Sequence, residues 1–218
     1  MTSNRKRMPL PPQRGVSRAP ARISHLPGAS RYNRPMSDLP TIPTARTVMR
    51  VLAPEHAGLL LRYRERNRAH LAQWEPARTP AYFTEEAARQ RLAQSVDEAR
   101  AGTALHFIAL DRESGAVAAT CAFTSIVRGV SQACHLGFSV AEAWQGSGLM
   151  HEVAAAGIAH MFEREGLHRI QACHLPRNLR SATLLARLGF EREGYARSYL
   201  CIDGRWEDMV LTSLINPA

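Results

Sequence analysis

Apolar positions along this chain change period several times, and each change predicts an element. Residues 47–52 read as a short strand, after which Pro54 and Glu55 open a helix carrying Leu59, Leu60 and Tyr63 at helical spacing. The polar, proline-containing stretch from Asn67 to Pro80 predicts a loop. It ends at Thr84, an N-cap residue for a helix running to about Arg100, and Gly102 stops that helix. Three strands follow at 104–110, 116–127 and 132–140, and the short turns Glu113-Ser114-Gly115 and Arg128-Gly129 make them an antiparallel meander. Over 148–164 the period becomes helical again, through Leu149, Val153, Gly157, Ile158 and Met161, with Gly166 as the stop. A strand at 168–174 comes next, then a helix from Asn178 to Leu188 that Gly189 closes. Two strands across Asp203-Gly204 complete the pattern, and Asp-Gly between alternating residues predicts a type I′ hairpin.

The order is therefore β-α-α-β-β-β-α-β-α-β-β. It implies an α/β chain of mixed, α+β-like character, with a central mixed sheet and helices on both faces. Within it, strand, glycine turn, helix and strand form the unit that presents bare helix N-terminal amides to an anion, so chemistry is expected there.

Length and composition narrow the class. With 218 residues and 45% hydrophobic side chains, the chain suits one domain plus an appendage. Its longest apolar stretches are broken within about a turn by Arg, Glu or Gly, far short of the roughly 18–20 residues of a membrane span, so membrane insertion is excluded. Cys121, Cys134, Cys173 and Cys201 form no Cys-x-x-Cys pair, which argues against a zinc knuckle or a disulfide framework. They read as buried thiols in a reducing cytosol, giving a cytoplasmic protein.

Charge separates the appendage from the domain. Nine basic residues (Arg5, Lys6, Arg7, Arg14, Arg18, Arg22, Arg31, Arg34, Arg46) face Asp38 alone in residues 1–46, so +8 of the net +9 lies there. The same stretch holds eight of the 13 prolines. It buries too little apolar surface to offset its ordering entropy, and residues 1–45 are expected to be a disordered, basic, Pro-rich tail ahead of a domain at 46–218. Two readings of the tail stand: an arm that attracts ribosomal RNA by counterion release, and a solvated leader without specific role, which is favoured. Met36 opens a stretch that runs straight into the first strand, and Pro9, Pro11, Pro12 and Pro20 argue against an amphipathic presequence helix.

The glycine turn, Trp144-Gln145-Gly146-Ser147-Gly148-Leu149-Met150, lies between a strand and a helix. Its glycines would let backbone approach a ligand, and the helix start would favour a pyrophosphate. No Gly-Lys-Ser/Thr follows, and the spacing is not that of a dinucleotide fold. Gln145-x-x-Gly148 after the strand His135-Leu136-Gly137-Phe138-Ser139-Val140, then Asn178-x-x-Ser181 and Leu188-Gly189-Phe190, resembles the GNAT acetyltransferase superfamily. Val127-Arg128-Gly129, Leu184-Leu185-Ala186-Arg187, Glu193-Gly194-Tyr195-Ala196 and Tyr199-Leu200 with Ile202-Asp203-Gly204 resemble its RimJ/RimL family of ribosomal-protein N-terminal acetyltransferases. The resemblance spans about residues 46–216.

That resemblance implies the GNAT acyltransferase fold and acetyl-CoA as donor, with no metal. Backbone amides of Gln145, Gly146, Ser147, Gly148, Leu149 and Met150 would cradle the pyrophosphate. Leu136, Phe138 and Val140 would lie along the pantetheine arm where their strand splays from the next, with Asn178 bonding the coenzyme beyond the splay. Ser181 falls where a relative presents a hydroxyl to the leaving thiolate. Two departures matter: Met150 stands where Gly or Ala is common, and Leu185 stands where many members place a tyrosine acid. His135 replaces a glutamate that many relatives use as base. It could take that role, or it could simply pack or face solvent.

A weak base suffices for one class of acceptor. An α-amine titrating at about 8 is made neutral at about pH 7.4 for less than about 1 kcal/mol, against roughly 4 kcal/mol for a lysine side chain. The absence of a carboxylate at position 135 therefore favours an α-amine. Proximity and a backbone amide such as that of Val140, aimed at the oxyanion, would supply the rest. In this family the first inter-helix loop and the last hairpin flank the acceptor, which points to His70, Trp74, Glu75, Tyr199 and Asp208. Trp74 could equally be core, Glu75 a helix-end charge, and Asp208 a brace for the hairpin. His151 and His160 lack metal-ligand spacing and read as surface or packing residues.

Three functions follow as expectations. The first is transfer of acetyl from acetyl-CoA to an alanine or serine N-terminus of a ribosomal protein, by a monomer or homodimer. The second is a small-amine acetyltransferase acting on a polyamine or antibiotic. The third is a ribosome-associated assembly factor that binds RNA through its tail.

Overall fold

The first apolar alternation becomes a strand at Thr47–Arg50 (β2), and its partner comes from sequence assigned to the tail. In the computed structural model, which describes residues 39–217, Thr41–Pro43 (β1) pairs antiparallel with β2, Ile42 opposite Met49. The expected tail boundary at residue 45 is thus corrected: the fold already includes 39–45. Thr44 and Thr47 close the turn between the strands, their hydroxyl oxygens 2.8 Å apart, and Leu39 and Ile42 pack on the core. The two prolines that suggested disorder, Pro40 and Pro43, are tolerated because β1 is an edge strand. The expectations about residues 1–38 lie outside the described residues.

A 3-10 turn at Pro54–His56 leads into α1 (Ala57–Arg66). The predicted loop contains a five-residue helix, α2 (Arg68–Ala72), too short to show a period in the sequence. Thr84 caps α3 (Glu85–Ala101) by accepting from Ala87 N at 3.2 Å, and Gly102 ends it at φ 68°. The meander β3 (Leu105–Asp111), β4 (Val117–Val127) and β5 (Ala133–Val140) forms as expected. Then come α4 (Leu149–Glu163), β6 (Arg169–His174), α5 (Leu179–Arg187), β7 (Glu191–Ile202) and β8 (Arg205–Ile215). Asp203 at φ 47° and Gly204 at φ 75° supply the two positive φ values of the I′ turn.

The sheet runs β1-β2-β3-β4-β5-β6-β8-β7, mixed because β5 and β6 are parallel. On one face α4 buries Val153, Ile158 and Met161 against Phe107, Cys121 and Phe123. Across the sheet, α1 and α3 bury Leu60, Tyr63 and Leu92 against Ile108 and Leu110. Gly157 allows the close approach of α4, since a Cβ there would lie 2.8 Å from the Phe123 ring. Cys121 and Cys134 are buried in this core and their thiols are pushed up by burial, Cys134 to about 12. Cys173 is half-buried and Cys201 exposed, contrary to the reading of all four as buried.

Candidate active site

The parallel pairing of β5 and β6 covers only Ala133–His135 against Arg169–Gln171. Beyond it the strands diverge, so Leu136–Val140 keeps its β4 partner and has an opened edge on the other side. A cavity of about 590 Å³ occupies the opening. Phe138, Ser139 and Val140 form one wall, the turn from Trp144 to Met150 its floor, and Asn178 and Ser181 at the start of α5 the opposite wall. His70, Leu71, Trp74 and Glu75, from α2 and the following loop, close the far end.

Backbone conformation shapes the floor. Gly146 and Gly148 sit at φ 72° and 78°, and a Cβ on either would meet nothing within 4 Å, so positive φ rather than crowding calls for glycine. Gly148 is the N-cap of α4 and has no side chain to cap it; Leu149 N makes only a long 3.4 Å contact with Ser147 Oγ, so the Met150 and His151 amides of the first turn are left available to an anion. Ser147 turns its hydroxyl to Trp144 O (2.7 Å) and so braces the turn without lining the cavity. Leu136 buries its side chain in the core, so only its main chain borders the opened edge.

Arg46, counted with the tail in the sequence, clamps this floor. Its backbone N and Nε each donate at 2.8 Å to the Glu152 carboxylate on α4, and Nη1 reaches Ser147 O at 3.0 Å. Burial pushes the Glu152 carboxyl up, but hydrogen bonds from Arg46 and Thr44 outweigh it and hold it below the usual range. A carboxylate near the anion site is thereby neutralised. The signal is absent from local sequence because the partners are 106 positions apart.

Gln145 spans the cavity. Its Nε2 donates to His70 Nε2 at 2.8 Å, while Arg180 Nη1 donates to its Oε1. Asn178 uses Oδ1 to cap α5 at Ser181 N (3.1 Å), which orients the first turn of α5 and places the Ser181 side chain on the cavity wall. Behind β5, Tyr63 Oη lies 2.7 Å from Ser139 Oγ, which is also 2.7 Å from Thr120 Oγ1. Burial raises the Tyr63 hydroxyl to about 12.

At the acceptor end, Trp74 both lines the cavity and packs on Leu175, Ile202 and Met209. Glu75 lines it too, with Oε1 accepting from Arg64 Nη1 at 2.8 Å. Asp203 N donates to Glu75 O, tying the last hairpin to this loop. Three expected residues are not brought to the cavity. His135 belongs to the paired part of β5 and is exposed, with Nε2 2.7 Å from Gln171 Oε1. Tyr199 is exposed on β7. Asp208 accepts from Tyr195 Oη and Ser198 N, both at 2.8 Å, and so braces the register shift in β7. The Ser198 amide and the Tyr195 hydroxyl hold the Asp208 carboxyl below its ordinary range. The cavity also recruits His151, Arg180 and Arg187, whose sequence context carries no such signal.

An opened parallel pair above a glycine turn and an uncapped helix is matched by one family description, Acetyltransferase (GNAT) domain, over residues 46–191. The chain belongs to the GNAT acetyltransferase family. Within that family it is 41% identical over 174 residues to the ribosomal protein uS5-alanine N-acetyltransferase of Escherichia coli (strain K12), covering 80% of this chain and 90% of that one. The crystal structure of ribosomal-protein-S5-alanine acetyltransferase from Vibrio fischeri matches with TM-score 0.78 at 39% identity, over 82% of this chain and 97% of the other. RimJ of Mycobacterium smegmatis, in complex with CoA-disulfide, matches with TM-score 0.76 at 27% identity, over 81% and 87% of the two chains. Among the described residues of this GNAT acetyltransferase, no helix is long and apolar enough to cross a membrane.

Proposed function

We propose that this GNAT acetyltransferase transfers the acetyl group of acetyl-CoA to the N-terminal α-amine of a ribosomal protein, at an alanine or serine. The observation that carries this reading is the opened edge of β5, which leads from the uncapped start of α4 to the loop after α2. The similarity to the uS5-alanine enzyme supports the acceptor.

Acetyl-CoA supplies the thioester. The free amides at the start of α4 bind its pyrophosphate, with Arg46 removing the opposing charge of Glu152. Main chain of Leu136–Val140 aligns the pantetheine arm as an added strand would. Asn178 holds α5 so that Ser181 faces the sulfur. The acceptor amine, neutral after losing a proton to water, attacks the thioester carbon. A C–N bond forms, the nitrogen of the tetrahedral adduct gives its second proton to water, the C–S bond breaks, and the thiolate takes a proton from the Ser181 hydroxyl, which water restores. His135 has no part in this scheme, because its ring is held by Gln171 away from the cavity.

A small-amine acceptor is less well served. Glu75 is the sole carboxylate among the described lining residues, and it is already paired with Arg64. A polycation needs an unpaired acidic pocket. The test is acetyl-CoA turnover on hexapeptides beginning Ala, Ser or Met, set beside spermidine. Ala and Ser peptides are expected to turn over, and turnover of spermidine alone would overturn the proposal.

A further inference from the structure

Leu71 and Glu75, which line the transfer cavity, also form the wall of a second cleft of about 190 Å³. Its chemistry is cationic. Arg64, Arg68 and Arg78 line it, against Glu75 and Asp203. Glu75 is committed to Arg64 at 2.8 Å. Among the described residues, no carboxylate lies within ion-pair distance of Arg68, Arg78 or Arg91.

Aromatic faces hold these guanidiniums instead. Arg68 stacks on Phe83 at 4.3 Å, while Arg78 and Arg91 stack on Tyr82 at 4.5 and 3.8 Å. Stacking fixes the plane of a guanidinium and leaves N–H groups at its edge for a planar acceptor. The cluster is under-satisfied: Arg64 Nε, on the lining, is buried without a hydrogen-bond partner, and so is Nε of Arg91, which lies behind the cleft and donates Nη2 to Tyr82 O at 3.1 Å. Burial, then repulsion from Arg64 and Arg78, lowers the Arg91 guanidinium, against an opposing contribution from Tyr82. Buried donors and like charges of this kind are stabilised by an incoming anion.

We propose that this cleft is a subsite for an acidic side chain, aspartate or glutamate, a few residues after the acetylated terminus of the acceptor polypeptide. The inference rests on the proposed function and adds a sequence preference to it. Position argues for a polypeptide, because the cleft shares a wall with the cavity where the α-amine reacts. Size agrees: the cleft falls below the roughly 300 Å³ of a small-molecule site and suits one side chain. An extended chain advances about 3.3 Å per residue, so an acidic side chain moved through the first six residues samples a reach of about 20 Å from the terminus. A carboxylate matches the guanidinium fork.

The test uses the full chain and Ala-initiated hexapeptides in which one Glu, or one Gln as its neutral match, is moved from the second to the sixth position. At one or two positions Glu should raise kcat/KM at least about fivefold over Gln, through KM, and added salt should shrink the difference. Arg68 and Arg78 are exposed, so Arg68→Gln with Arg78→Gln leaves the core intact. In that variant the Glu-to-Gln ratio should fall to about one. Equal rates for Glu and Gln at every position, or a preference that survives the double substitution, overturns the subsite. So does a loss of ribosomal RNA binding in the variant with peptide preference unchanged, which would make the cleft a phosphate site. Acetylation of none of the peptides overturns the proposed function itself, and the subsite with it.

Discussion

Glu152 stands in the first turn of α4, where an uncompensated carboxylate would repel a phosphate, and Arg46 takes both of its oxygens. Arg46→Ala is therefore expected to raise the KM for acetyl-CoA about tenfold with little change in kcat, as the loss of a charge-assisted pair would. Steady-state kinetics separate this from general damage, which would lower kcat as well. Tyr63 offers a test by pH. Burial raises its hydroxyl from 10.0 to about 12, with the Ser139 hydrogen bond and the Arg64 charge opposing the rise. A raised acid is stabilising in full below its unfolded value and loses that contribution as pH climbs toward the folded one. Tyr63 should thus contribute about 2 kcal/mol less at pH 12 than at pH 10, and Tyr63→Phe should remove that part of the decline. Urea titrations of both proteins between these pH values check it; parallel declines would contradict it.

Among the elements, α4 carries the site on one end and the core along its length. Gly157 brings it against β4, with the fully buried Phe123 ring 2.8 Å from where a Cβ would lie. Gly157→Ala gains about 1 kcal/mol of helix propensity, but the overpacking should exceed it, for a net loss of about 1 kcal/mol, and Gly157→Val should lose about 3 kcal/mol. An alanine variant more stable to urea than the parent would show that α4 can withdraw without penalty. The element pattern was legible wherever period and punctuation are local: Thr84, Gly102 and Asp203-Gly204 do in the structure what their types predict. It failed where the decision is not local. β1 is a strand because an edge position tolerates Pro43, and α2 exists in only five residues. The site divides in the same way. The glycine turn and Asn178-x-x-Ser181 are contiguous motifs and could be read. Arg46 with Glu152 and His70 with Gln145 meet across 106 and 75 positions, and no local signal announces them. His135 misled because a motif position fixes the strand but not where β5 leaves β6.

At the scale of the whole molecule, charge and chemistry are separate. Residues 1–35 hold eight basic groups and no acidic one, leaving about +1 for the rest of a chain of net +9. A chain beginning at Met36 retains Arg46 and every cavity residue, so it should acetylate an Ala-initiated peptide at the parent rate. Its affinity for ribosomal RNA should drop, and the slope of log affinity against log salt should become shallower by about 0.7 for each phosphate no longer neutralised. Equal affinity across a salt series would place RNA recognition on the folded surface. Catalysis itself belongs to the folded part, where the opened edge of β5 is proposed to deliver an acetyl group to an α-amine. That delivery is tested most directly by incubating the protein with acetyl-CoA and an Ala-initiated hexapeptide containing an internal lysine, then locating the acetyl group by tandem mass spectrometry. A single acetyl group is expected on the terminal alanine nitrogen, added at a rate that drops as pH is lowered and the α-amine, titrating at about 8, becomes protonated. Acetyl on the lysine side chain with the terminus left free would contradict it.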